Sequence, residues 1–246
     1  MPRLGMLTPS SNTSLEPQTC AMLAGLDDVT VHFSRFPVTE IALSDHALAQ
    51  FDDAPILRAA ELLAHAKVDV IAWNGTSSGW LGFAADETLC RRITAATGIP
   101  ATTSMLALNE LLAALGVRRL GLVTPYLDDV QARIVANYAA LGIACDPERH
   151  LGLQDNFSFA GVAPERIAGL VEEVAAAGPG RAAPDAVAIV CTNLRACAKV
   201  AGLEAATGRV VLDTIATVLW KSLALAGADP ARVTGWGRLF QVPATR

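Results

Sequence analysis

Charge is scarce in this chain of 246 residues: Asp, Glu, Lys and Arg make up 17% of it, and aromatic residues only 5%. Nor is the charge basic. The formal net charge is -5, from 19 Lys and Arg against 24 Asp and Glu. Proteins that grip nucleic acid by its phosphates present a basic face, so that class of partner is excluded. No run of Lys and Arg would dock on anionic lipid. No apolar run approaches the roughly 18 residues of a membrane span. The opening MPRLGMLTP lacks the long apolar stretch of a secretion signal. The five cysteines are odd in number and form no CxxC pair, which speaks against a disulfide framework and for a reducing cytoplasm. His32, His46, His65 and His150 show no metal-ligand spacing, and His65 reads as a solvent-facing helix residue. There is no GxGxxG, and Gly75-Thr76-Ser77-Ser78-Gly79 is not followed by Gly-Lys-Ser or Gly-Lys-Thr. Dinucleotide and P-loop sites are therefore excluded, and no metal or organic cofactor is called for.

What is present is apolar matter and repetition. Hydrophobic residues make up 52% of the chain, enough for a folded core without staples. Arg3 to Pro9 reads RLGMLTP, and Arg119 to Pro125 reads RLGLVTP, 116 positions later. Asp69 to Ser77 (DVIAWNGTS) pairs with Asp185 to Asn193 (DAVAIVCTN) at the same offset of 116. A third match, Thr97-Gly98 with Thr207-Gly208, shifts to 110. Two matches at one offset argue for an internal duplication. The spacing is far longer than the roughly 20–50 residues of a solenoid repeat.

Each half alternates strand and helix. The first reads as strand 3–9, helix 54–66, strand 69–74, helix 86–97, strand 99–103 and a helix over 109–115 stopped by Gly116. The second reads as strand 119–124, helices 128–142 and 164–177, strand 185–190, helix 194–206, strand 209–213 and helix 215–226, with a loop over 179–184. VDVIAWN is apolar on both faces, as a strand inside a parallel sheet must be. The pattern predicts an α/β fold of two similar parallel sheets with helices on both faces. The first unit is expected over 1–112 and the second over 113–214, with 215–246 packing back on the first.

Polar clusters follow the strands: Ser10-Ser11-Asn12-Thr13, Asn74-Gly75-Thr76-Ser77-Ser78, Pro125-Tyr126 and Cys191-Thr192-Asn193. Ligands of open α/β sheets bind beyond the carboxyl ends of their strands. Two facing halves would gather these hydroxyls, amides and N–H groups into one cleft suited to a small carboxylate. The same residue types cap helices, so each hydroxyl has both readings open. Cys197 reads as a small buried apolar residue. Cys191 sits at a strand's carboxyl end before a helix expected from 194, where a lowered pKa would make it a nucleophile or a proton carrier. Trp73, Trp80 and Phe157 are left open between pocket wall and core.

PSSNT, GTS, TPY and CTN, in that order, resemble the Asp/Glu racemase superfamily, in the branch of maleate isomerases and arylmalonate decarboxylases. IAWNGTSSGWLGF, TGIPATTS and LGLVTPYLDDVQARIVANYAALGI are similar to its ectoine-utilisation protein A group. The resemblance implies two Rossmann-like (flavodoxin-like) domains related by a pseudo-twofold axis, with the site between them. It implies carbon-acid chemistry without metal or cofactor. In the racemases one cysteine from each half brackets the substrate carbon. Here the 116 offset equates Gly75 with Cys191, so one thiol is present and the other is glycine. That matches the arylmalonate decarboxylases, where the cysteine protonates an enediolate after a carboxylate leaves. By resemblance Cys191 is catalytic, and Thr76, Ser77 and Tyr126 hold the carboxylate or enediolate. Asn12, Tyr126 and Asn156 match substrate-binding residues of the maleate isomerases, and Gly75 and Thr192 complete the site. A cysteine at position 75 is expected to restore the missing thiol partner. The expectation is thus a cytoplasmic lyase, or an isomerase or racemase of ectoine or hydroxyectoine catabolism, acting on a small carboxylate. A non-catalytic carboxylate sensor is the alternative from outside enzymes, and a homo-oligomer is compatible with either.

Overall fold

The computed structural model describes residues 1–41, 43, 53–178, 180 and 182–245. His46 and part of the 179–184 loop lie outside the described residues. In the first half the strands are β1 (Arg3–Pro9), β2 (Thr30–Phe36), β3 (Val70–Trp73) and β4 (Ala101–Thr103). Its helices are α1 (Leu15–Leu23), α2 (Asp53–His65), α3 (Ser78–Leu81), α4 (Ala84–Thr97) and α5 (Ser104–Ala114). The second half holds β5 (Leu120–Thr124), β6 (Glu148–His150), β7 (Ala186–Ile189) and β8 (Val210–Asp213). Its helices are α6 (Asp128–Ala140), α7 (Asn156–Phe159), α8 (Pro164–Ala175), α9 (Val200–Thr207) and α10 (Thr214–Leu225). The strands form two four-stranded parallel sheets, ordered β2-β1-β3-β4 and β6-β5-β7-β8.

The duplication is obeyed in register. Leu4 pairs with Val70 and Leu120 with Ala186, each residue 116 before its counterpart. Asp69 accepts from the N–H of Arg3 at 2.7 Å, and Asp185 from that of Arg119 at 2.8 Å, so one carboxylate starts each central strand pair. Gly98 and Gly208 end α4 and α9 in the left-handed region, φ 71° and 70°, where a Cβ would strain the turn.

The inner strands are wholly buried because they are apolar on both faces. α8 starts at Pro164, and its buried Ile167, Leu170, Val171 and Val174 fall at helical spacing against the sheet. α10 packs most extensively on α5, its counterpart in the other half, and also touches β3 and α1. The tail beyond it reaches both halves. Trp220 donates its indole N–H to the Val242 carbonyl at 2.9 Å, Thr245 bonds Glu110 of α5, and Arg238 pairs with Glu204 of α9.

Several elements differ from the sequence reading. β2 and β6 are additional edge strands. α5 begins at Ser104, five residues earlier than expected, because the Thr103 hydroxyl caps it by accepting from the Leu106 N–H at 3.0 Å. The helix expected over 194–206 starts only at Val200, after a turn at 192–194 and a single 3-10 turn at Cys197–Lys199.

Candidate active site

The carboxyl ends of β1, β3, β5 and β7 converge, and a small cavity lies among them. Its wall is formed by Pro9, Val38, Ile41, Trp73, Gly75, Thr76, Ser77, Trp80, Tyr126, Asn156, Cys191 and Thr192. The space open to the centre of a water-sized molecule is about 20 Å³, room for roughly one water. Seven of the eight site residues expected from sequence line it: Gly75, Thr76, Ser77, Tyr126, Asn156, Cys191 and Thr192. The two halves supply equivalent triplets, Gly75-Thr76-Ser77 and Cys191-Thr192-Asn193, at the 116 offset.

Asn12, the eighth, stands one residue behind the wall. It is buried but does not line the cavity. Its amide is engaged with protein on both sides. The NH₂ donates to the Thr192 carbonyl at 2.9 Å and hydroxyl at 3.2 Å, while Oδ1 accepts from the N–H of Ser14 and Leu15, both at 2.9 Å. Asn12 therefore fastens the second half's site loop to the first turn of α1. Asn193 does the reciprocal work: its Oδ1 accepts from the Thr13 N–H at 2.9 Å, and its NH₂ donates to the Asn156 carbonyl.

Tyr126 is buried, and its ring meets Trp80 edge-on at 5.3 Å between centroids. Its hydroxyl lies 2.5 Å from that of Thr76, which brings one hydroxyl from each half together. Burial raises the Tyr126 pKa well above its ordinary value, so the phenol keeps its proton as a donor. Asn156 reaches the Ser11 hydroxyl at 2.7 Å through its NH₂. Thr192 donates its hydroxyl to the Asn74 carbonyl at 2.8 Å, again crossing between halves.

Cys191 departs from the expected electrostatics. Burial pushes its pKa up to about 12; hydrogen bonds from the N–H groups of Asn193 and Leu194 and from the Tyr126 hydroxyl pull it down, and nearby Asp213 pushes it up. The Asn193 N–H lies 3.4 Å from Sγ. No helix starts beside the thiol, since α9 begins nine residues on, so a dipole does not overcome desolvation. The residue is a thiol at neutral pH and not a thiolate.

Sequence reasoning missed Val38 and Ile41, which follow the unread β2, and left Trp73 and Trp80 undecided; both tryptophans line the cavity. Phe157 is instead 63% exposed. The signal for Trp73 was in the repeat: its counterpart at the 116 offset is Ile189. Among the described residues no group of three His, Cys, Asp or Glu side chains is placed to hold a metal ion. No helix among them is long and apolar enough to cross a membrane.

These features define a class: an enzyme of two flavodoxin-like halves with one site between them and one thiol in it. The chain belongs to the arylmalonate decarboxylase family, whose profile matches residues 4–240. Arylmalonate decarboxylase of Bordetella bronchiseptica is 31% identical over 172 residues, 70% of this chain and 70% of its own. Maleate isomerase of Pseudomonas putida is 28% identical over 252 residues, covering 97% of this chain and 96% of its own. Among solved structures, a cysteine-to-alanine variant of the maleate isomerase Iso from Pseudomonas putida S16, with maleate, superposes at TM-score 0.86. It is 25% identical and covers 98% of both chains.

Proposed function

We propose that this enzyme moves a proton at the carbon next to a carboxylate in a small organic acid, with Cys191 as the acid. The observation that carries the reading is the protonated Cys191 thiol in a cavity whose opposite position is Gly75. In a malonate-type substrate the bond from the α-carbon to one carboxylate breaks. Carbon dioxide leaves, and the electron pair stays on the α-carbon and the remaining carboxylate as an enediolate. Thr76, Ser77 and Tyr126 are the donors that would hold that charge, each at about 2.7–4 kcal/mol by analogy with an oxyanion-hole donor. The Cys191 S–H then gives its proton to carbon, and the thiolate recovers a proton from solvent. With one thiol, one face of the carbon is protonated.

A maleate isomerase-like reaction is the second reading, favoured by Asn156 at the cavity wall and by the near-complete overlap with a maleate isomerase structure. The sequence likeness to the ectoine-utilisation group supports a cytoplasmic role in ectoine or hydroxyectoine breakdown. The readings separate in one experiment, with methylmalonate and maleate offered in heavy water. Decarboxylation yields propionate with deuterium at the α-carbon; isomerisation yields fumarate. Cys191→Ala should lower the first reaction by about 10²–10⁴-fold, the worth of a positioned acid. Undiminished turnover in that variant removes Cys191 from the chemistry.

A further inference from the structure

The geometry points to Trp73 as the residue that sets substrate size and holds the enzyme to a single thiol. Its indole, 1% exposed, ends β3 and forms part of the cavity wall. It lies across Gly75. A Cβ built on Gly75 would stand 1.9 Å from Cζ2, 2.2 Å from Cε2 and 2.6 Å from Cη2 of Trp73. No bonded side chain survives such contacts, so any residue at 75 other than glycine requires the indole to leave. The ring is also braced from behind by Phe36, 4.9 Å away between centroids at an interplanar angle of 46°.

The other half makes the opposite choice. At the equivalent positions stand Ile189 and Cys191: the smaller residue two places before the site leaves room for the thiol. Each half thus places either bulk at the strand's end or a side chain at the site, and never both. On this reading Gly75→Cys supplies a second thiol only when the Trp73 indole gives up its place.

The same bulk defines the ligand. With the indole in place the cavity has space for about one water beside its polar wall. Any acid needs the wall to give way; a small aliphatic acid asks for less of that than an aryl acid, whose ring competes with the indole for one volume. This rests on the carboxylate reading above.

Two measurements test it. Calorimetry compares methylmalonate and phenylmalonate on the unmodified enzyme, Trp73→Leu, Trp73→Phe and Tyr126→Phe. Trp73 as the size filter predicts at least tenfold preference for methylmalonate in the unmodified enzyme and its loss in Trp73→Leu. Tyr126→Phe should weaken both acids and leave their ratio in place. An unchanged ratio in Trp73→Leu, while both acids still bind, overturns the role of Trp73 alone. Failure of either acid to bind any of the four proteins overturns the carboxylate reading, and this inference with it. The second measurement needs no ligand. Gly75→Ala should lower the Tm by about 3–10 °C in the native background and by little once Trp73 is Leu or Phe. Equal losses in all backgrounds overturn the steric coupling.

Discussion

Cys191 shows how burial decides the chemistry of a single group. Its position was legible, because the repeat equates it with Gly75 and puts it after a strand. Its protonation was not, because the helix thought to begin beside it begins at Val200. Desolvation then outweighs the three hydrogen bonds to sulfur and leaves a thiol. Alkylating reagents attack thiolate, so a pKa near 12 implies slow modification at neutral pH. Cys20 is exposed, while Cys145, Cys191 and Cys197 are buried. Iodoacetamide at neutral pH should therefore label Cys20 first and leave Cys191 largely intact, read by peptide mass spectrometry over a time course. Labelling of Cys191 as fast as that of Cys20 would mean an ionised, accessible thiol and would remove the proton-donor role.

Among the elements, what was legible followed burial. β1, β3, β5 and β7 are apolar on both faces and stood out. β2 did not, since Thr30 to Ser34 are only partly covered along the sheet edge and Arg35 is exposed, and β6 carries Glu148, Arg149 and His150 with no apolar residue at all. α1 carries Pro17 in its first turn, and this obscured it as a helix. Val38 and Ile41 went unseen at the site for the same reason, being reached only through β2. The glycines of the central strands make a sharper test of packing. A Cβ on Gly5 of β1 would lie 2.9 Å from Cγ2 of Val68 and 3.1 Å from the Val70 carbonyl. Gly121 of β5, its counterpart, would meet Val187 at 3.1 Å and Val174 at 3.2 Å. Gly25, in the turn after α1, has nothing within 4 Å and no positive φ. Gly5→Ala should therefore cost about 1–3 kcal/mol through overpacking. Gly25→Ala should be neutral or stabilising by about 0.4–1 kcal/mol, since it only narrows the unfolded ensemble. Urea titration of the two variants decides it, and equal destabilisation would count against the close approach at Gly5.

Over the whole molecule the two halves share one unusual feature: each buries an aspartate. Asp86 of α4 is 2% exposed, and Asp213 at the end of β8 is fully buried. The Thr103 hydroxyl donates to Asp86, tying α4 to the cap of α5. Asp213 accepts from the Ile215 N–H at 2.8 Å and so caps α10, the helix that joins the halves. Burial raises both carboxyls from 3.8 to about 6, and their hydrogen bonds offset only part of the desolvation. The sign follows from proton counting. Between about pH 4 and 6 the folded protein binds more protons than the unfolded chain, so stability falls as pH rises through that window and levels above it. A tenfold change in proton affinity is worth about 1.4 kcal/mol, so the two carboxyls together amount to roughly 6 kcal/mol. Asp69 and Asp185 act oppositely: their carboxyls are held below the ordinary value, by hydrogen bonding to Arg3 and to the N–H groups of Arg118 and Arg119. Their contribution is complete once pH has passed the ordinary carboxylate range, which leaves the buried pair to govern the slope near pH 5. Urea unfolding at pH 4.5, 5.5 and 7 should show the decline in the unmodified enzyme, a smaller one in Asp86→Asn, and, when Asp213→Asn is added, little between pH 4.5 and 5.5, leaving toward pH 7 only the loss through His150, whose pKa Glu148 and Asp128 raise from 6.5. Because Asp213 lies near Cys191, the single Asp86→Asn variant isolates the linkage from any change at the site. Stability that rises from pH 4.5 to 7 in the unmodified enzyme, or a slope untouched by Asp86→Asn, would show that these carboxyls ionise normally despite their burial.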